Sequence, residues 1–213
     1  MLTTALIPTM PVGNELTAFL VVVCFAAGLN IYAVMVALGI FFHAGILSLP
    51  PGLQLVGNWY VIGVSGILFL IEFVGDKIPV FDLLWNAMHT FVRIPMAAIL
   101  TYAATPQLPE WERLLATFLG GLIALASHGG KIAARAAVTH SPEPISNMTL
   151  SLGEDAVVAF LLWYATRHPY GAAGIVGVSL LAIVFVARFV VRALTSLFRD
   201  AGDGFAKQSD PIS

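Results

Sequence analysis

Charge is what this sequence has least of: ten Lys and Arg against twelve Asp and Glu in 213 residues, a net charge of −2 at neutral pH. No run of Lys or Arg approaches the basic clusters that follow a phosphate backbone, so nucleic acid is excluded as a partner. Cysteine is almost missing as well. With Cys24 alone the chain can form no disulfide within itself and no paired-cysteine metal or redox motif. The opening stretch MLTTALIPTMPVGNELTAF contains no Lys or Arg. A signal peptide needs a positive segment ahead of its apolar run, so the first apolar run is expected to be a retained helix. No linker-like stretch divides the chain. The expectation is a single integral membrane domain over 1–213, with an N-terminal tail at 1–15 and a flexible C-terminal tail at 200–213.

Apolar residues fill the space that charge leaves. They make up 59% of the chain, with 14 Phe and 4 Trp, and the mean hydropathy is +0.91. These values lie outside the range of soluble domains and point to a bilayer. A helix needs about 20 apolar residues to cross the hydrocarbon core. On that scale the sequence predicts an all-α, polytopic membrane helix bundle of about six transmembrane segments, at 16–40, 58–75, 80–104, 112–127, 152–167 and 172–195, some of them short or broken. Breakers punctuate the connections: SLPPG at 48–52, ATPQLPE at 104–110, HSPEP at 140–144 and RHPYG at 167–171. With both termini cytoplasmic, the inner side collects Lys77, Lys131, Arg135, Arg188, Arg192, Arg199 and Lys207, and the outer side only Arg113 and Arg167. That bias favours this orientation.

Against this background, DKIPVFDLLWNAMHTFVR at 76–93 is unusual. Asp82, Asn86, His89 and Arg93 fall at helical offsets of 0, 4, 7 and 11, within about 60° of one another on a helix. Glu72 and Asp76, four apart, share a face at the end of the preceding segment, with Ser65 one heptad above Glu72. A second stripe, His128, Lys131, Arg135 and Thr139, follows in SHGGKIAARAAVTH. Its two adjacent glycines predict either a helix break at a binding site or close packing through small residues. Glu154 and Asp155 are expected to open the fifth helix, where its dipole favours negative charge. In HSPEP, Ser141, Pro142 and Glu143 have the form of a helix start. GLNIYAV at 28–34 and GGKIAAR at 129–135 faintly echo each other, as repeats in transporters do.

A charge at the centre of a bilayer costs about 2.5–3.5 kcal/mol even on the lenient insertion scale, and such residues mark solute and proton pathways. The preferred expectation is therefore a membrane transporter or channel for a small charged solute or ion. Glu72, Asp76 and Asp82 would line the cytoplasmic half of the pathway, to which Asn86, Glu154 and Asp155 would also belong, and His89 would be the group able to change charge near neutral pH. Arg93, Lys131 and Arg135 would bind an anion or act as counter-ions, with His128 also on the pathway. A second reading is a non-catalytic subunit or scaffold whose buried ion pairs fix helix register, with a homo-oligomer or larger complex as its setting. A third is a membrane enzyme acting on lipid head groups. Asp76, Asp82, His89 and Glu154 are suitable ligand types for Mg²⁺, Mn²⁺ or Zn²⁺, yet their spacing demands no metal, and no cofactor is implied. GVSG at 63–66 has the form of a serine-protease motif, with His89 or His128 as a base. NMT at 147–149 has the form of a glycosylation site in a segment expected to be cytoplasmic. Arg188, Arg192 and Arg199 read as topology anchors.

GLNIY, FLIEFVGDKIPVFDLLWNAMHTFVRIP and HGGKIAARAAVTHSPEPISNMTLSLGED, which together span roughly 25–165, resemble an uncharacterised family of small bacterial inner-membrane proteins, known as a domain of unknown function. The resemblance implies a multi-pass bacterial inner-membrane protein. It brings no activity, substrate or catalytic residue.

Overall fold

The most apolar stretch of the sequence becomes the centre of the molecule. In the computed structural model, which describes residues 13–75, 79–138 and 144–208 and the side chains within them apart from 79–84, 86, 136–138, 144–147, 193–194 and 197–208, helix α1 spans Asn14–His43. Every residue from Val22 to Ile31 is buried. A helix apolar on all sides must be covered on all sides, and α1 is packed against each of the other five helices. These are α2 (Trp59–Gly75), α3 (Pro79–Ala104), α4 (Glu110–Val138), α5 (Pro144–Ala165) and α6 (Pro169–Gln208), with a 3-10 segment at Pro51–Gly57 between α1 and α2. Three of them, α3, α5 and α6, begin on proline, whose missing N–H is not needed in the first turn. No strand occurs among the described residues.

The end of α1 is set by Gly45. At φ +68° it adopts the left-handed conformation that glycine takes without steric cost. The Gly45 and Ile46 amides donate back to the carbonyls of Phe42 and Phe41 at 3.1 and 2.9 Å, satisfying acceptors that a helix end otherwise leaves open. The chain then turns through the 3-10 segment, which meets α2 at 60°. Leu53 and Val56 anchor that segment in the core. His43 Nε2 donates to the Gly57 carbonyl at 2.7 Å, and its ring stacks on Trp59 at 4.1 Å.

Large apolar side chains cover the outside: Ile67, Leu70 and Val74 on α2, Leu114 and Phe118 on α4, Leu181, Phe185 and Phe189 on α6. By length and composition α1, α4, α5 and α6 can each cross a membrane, and the bent pair of 3-10 segment and α2 makes up to five spans. Helix α3, with His89 and Arg93 in its middle, is not among them.

Three boundaries differ from the sequence reading. Helix α4 does not stop near 127 but runs without a break to Val138, so HGGK is helical. The reason is packing: a Cβ on Gly130 would come within 2.8 Å of Ile183 on α6, so this glycine admits a neighbour and does not unwind its own helix. Helix α5 begins at Pro144, which places Glu154 and Asp155 in its interior and not in its first turn. Helix α6 continues to Gln208, through most of the stretch expected to be a tail. Ser141, Pro142 and Glu143 lie outside the described residues.

Helices α1 and α4 approach most closely at Gly28. A Cβ there would sit 1.8 Å from Ser127 Oγ and 2.3 Å from the Ala124 carbonyl oxygen, and the carbonyl cannot retreat without moving α4. Gly28→Ala is expected to destabilise the protein by about 1–3 kcal/mol, the range for overpacking, seen as a lower thermal unfolding midpoint in detergent. Gly63→Ala is the control, since a Cβ at Gly63 meets nothing within 4 Å, and it should leave the midpoint unchanged.

Candidate functional site

Asn30 is the one amide in the long apolar run of α1, and it breaks the helix there. Its backbone is extended, at φ −154° and ψ 99°. Its Oδ1 accepts from the Ala33 amide at 3.0 Å, as an N-cap side chain does when it starts a new helix. Because the Ala33 amide would otherwise donate to the Leu29 carbonyl, that carbonyl is released. Lys131 Nζ takes it at 3.0 Å. Helix α1 is therefore two half-helices meeting inside the bundle. The first ends with its negative dipole end toward Lys131 and Arg93; the second begins with its positive end at Asn30, whose Nδ2 donates to Asp155 Oδ1 at 3.1 Å.

Charged side chains from four other helices converge on this break in alternating sign. Arg93 of α3 donates through Nη2 to Glu72 Oε1 of α2. Lys131 of α4 lies 3.5 Å from the same oxygen and 3.1 Å from Glu154 Oε2 of α5. Arg135, one turn further along α4, grips Glu154 through Nη2 at 2.7 Å and Nε at 3.4 Å. Arg93 and Glu72 are fully buried, and Lys131 and Arg135 nearly so. Arg93 Nη1 also points at the Gly28 carbonyl, 3.5 Å away.

The histidines flank this ladder with their roles fixed by their partners. Arginine can only donate, so His128 Nδ1, 2.9 Å from Arg93 Nη1, must accept. The ring is then neutral, and its Nε2–H donates to Thr90 Oγ1 at 2.8 Å. His89 Nδ1 donates to the Trp85 carbonyl at 2.8 Å, and its Nε2 meets the Tyr32 hydroxyl at 2.9 Å. Each ring has both nitrogens engaged, which leaves none for Ser65 and the GVSG motif.

Of the residues singled out in the sequence, Glu72, His89, Arg93, His128, Lys131, Arg135, Glu154 and Asp155 thus meet in one place. Asp76 lies outside the described residues, as do the side chains of Asp82 and Asn86. Two expectations are corrected. Glu154 and Asp155 owe their position to Arg135, Lys131 and Asn30 across the bundle, not to a helix N-terminus. Lys131 and Arg135 sit in the interior and so do not count as loop charges that orient the chain. Of the two expectations for HGGK, close packing holds at Gly130, and the break lies in GLNIY. Asn30, Tyr32 and Thr90 went unnoticed, although an amide in a 30-residue apolar helix was a signal. Among the described residues no three His, Cys, Asp or Glu side chains group as metal ligands do.

If Asn30 holds the break, Asn30→Ala should cost about 0.5–2 kcal/mol, as loss of an N-cap does, and Asn30→Ser should recover most of it. Thermal unfolding of the two variants in detergent checks this; equal losses would show that the cap is not what matters.

The sequence matches a domain of unknown function, DUF4126, over residues 18–189. No curated protein and no solved structure matches it. The match takes in all of the ladder, from Glu72 to Asp155, together with the break at Asn30. The chain belongs to the DUF4126 family.

Proposed function

We propose that this protein is a membrane transporter or channel for a small charged solute or ion, which crosses the bundle at the break in α1. The observation that carries the reading is the discontinuity at Asn30, where backbone carbonyls at 28 and 29 turn toward buried cations. Non-helical backbone at membrane depth is tolerated only where protein or a cavity lines it. Transporters bind their solutes at such half-helix junctions near the bilayer midplane. A central helix that served packing alone would be cheaper unbroken. The setting proposed for it is a bacterial inner membrane, with α3 as a sixth span and both termini in the cytoplasm.

The alternating signs of the ladder favour one other reading, a subunit or scaffold in which the ion pairs only hold helices in register. The two part on what a neutral pair does. Removing one member of a buried pair costs about 3–5 kcal/mol, whereas replacing both is often near neutral. Arg93→Gln alone should therefore lower stability, and Glu72→Gln with Arg93→Gln should restore it. In liposomes screened by light scattering for passage of small inorganic cations and anions, the wild type should carry a flux that the refolded double variant lacks. A well-folded double variant with full flux, or a wild type passing no ion in the panel, would overturn the transport reading.

Orientation has its own check. Reporter fusions after residues 76, 140 and 205 should report cytoplasm, and one near 108 the outside. A fusion at 140 reporting outside would reverse the scheme.

A further inference from the structure

The arginines of the ladder each reach a carboxylate. Two others do not. Arg188 and Arg192 stand on α6, and neither guanidinium hydrogen-bonds to or pairs with an acid among the described residues. Four residues apart on one helix, they share a face and are close enough to grip one ligand together. Beside them runs an open groove of about 390 Å³, lined by Ala187, Arg188, Val191 and Arg192.

Their depth follows from the helix. The apolar span of α6 is Pro169–Arg192, and the exposed rings of Trp59, Tyr60, Trp111 and Tyr170 lie in the first turns of α2, α4 and α6, at one end of the bundle. Tyrosine and tryptophan settle at a membrane surface. From Tyr170 the helical rise puts Arg188 about 27 Å and Arg192 about 33 Å away, and a hydrocarbon core is about 30 Å thick. With α6 across a bilayer, the pair falls at the head-group level of the opposite leaflet.

The helix is bare there. Ile183 is still partly covered, beside Gly130 of α4, but every residue from Val184 to Arg192 is exposed. Charge selects what covers this stretch. Two cations without a described counter-charge attract an anion, and an arginine fork offers parallel N–H donors that match phosphate oxygens. A zwitterionic lipid brings its own ammonium to compete, whereas an anionic lipid does not. On the same face as the pair, toward the middle of the span, lie Leu181, Val184 and Phe185, all exposed, where acyl chains would run.

We propose that Arg188 and Arg192 form a binding site for an anionic phospholipid, with the phosphate held between the two guanidinium groups and the acyl chains laid along Leu181, Val184 and Phe185. The site is separate from the ladder and does not depend on the transport reading.

The test uses the full chain, purified in detergent, stripped of lipid and titrated with phosphatidylglycerol or phosphatidylcholine of identical acyl chains, with bound lipid counted by native mass spectrometry. An arginine near the surface is worth about fivefold in affinity for an anionic lipid, so phosphatidylglycerol should bind about 25-fold more tightly than phosphatidylcholine. Arg188→Gln or Arg192→Gln should each reduce that preference to about fivefold, and the double variant should bring it near parity. Arg167→Gln, an exposed arginine at the other end of the bundle, should leave it unchanged. Because Arg188 and Arg192 are exposed, the double variant should keep the wild-type unfolding midpoint in lipid-free detergent, which separates lost binding from lost fold. Arg188→Lys with Arg192→Lys keeps the charge without the fork and should bind phosphatidylglycerol less tightly than the wild type. A preference equal in the wild type and the double glutamine variant would overturn the proposal. A lysine pair that matches the arginines would do so too, making them plain surface anchors, and so would inorganic phosphate competing as well as the lipid, since the chains would then contribute nothing. Dimers in the spectra that come apart in the double glutamine variant would give this face to a second copy and overturn it equally.

Discussion

Glu72 lies where two buried cations meet on one carboxylate oxygen. Arg93 and Lys131 arrive from different helices into a region with almost no water-facing surface, and one carboxylate oxygen answers both. Isolated charges in such a place are too costly to persist, so the positions of α2, α3 and α4 around α1 are bound to this contact. The break in α1 belongs to the same constraint: Lys131 has three donors and needs more than carboxylates to satisfy them. The Leu29 carbonyl, freed because Asn30 caps the next half-helix, supplies one acceptor.

Structure and chemistry are therefore tied through the backbone and not only through side chains. A purely apolar α1 would bury as much surface and present no carbonyl to α4. The glycine two residues before the break lets α4 come close enough to use it, with Ser127 against the place where a side chain would be. A short sequence string, GLN, thus supplies close approach, a released acceptor and a cap in succession.

Much of this was legible in the residues. Hydropathy and breakers located six helices, because apolar runs of the right length in a greasy chain have few alternatives. Helical spacing alone brought His89 and Arg93 to one face, and His128, Lys131 and Arg135 to another, and the structure buries all five. Boundaries failed where polar residues continue a helix. Lys131 and Arg135 look like loop charges until Glu154 is known to face them, and a pairing across helices leaves no mark on local periodicity. The glycine pair at 129–130 allowed either a break or close packing, and what decides for packing is Ile183 on another helix, which fills the space beside Gly130. Asn30 was visible as the amide inside the apolar run of its helix, but that the backbone breaks there depends on what the segment faces.

The contact between His43 and the 3-10 segment gives the break a mechanical meaning. The second half-helix of α1 runs from the break to His43, which is fastened at its far end by the bond to the Gly57 carbonyl and the stack on Trp59. It is a rigid arm of about 20 Å with its pivot at Asn30. A swing of roughly 10° at that pivot would carry the His43 end about 3 Å, and with it the bent segment that leads into α2. Since α2 also holds Glu72, the pivot and the carboxylate are joined twice, once through the ladder and once around the tip of the arm. A displacement of the tip would thereby be coupled to the charge in the middle of the molecule.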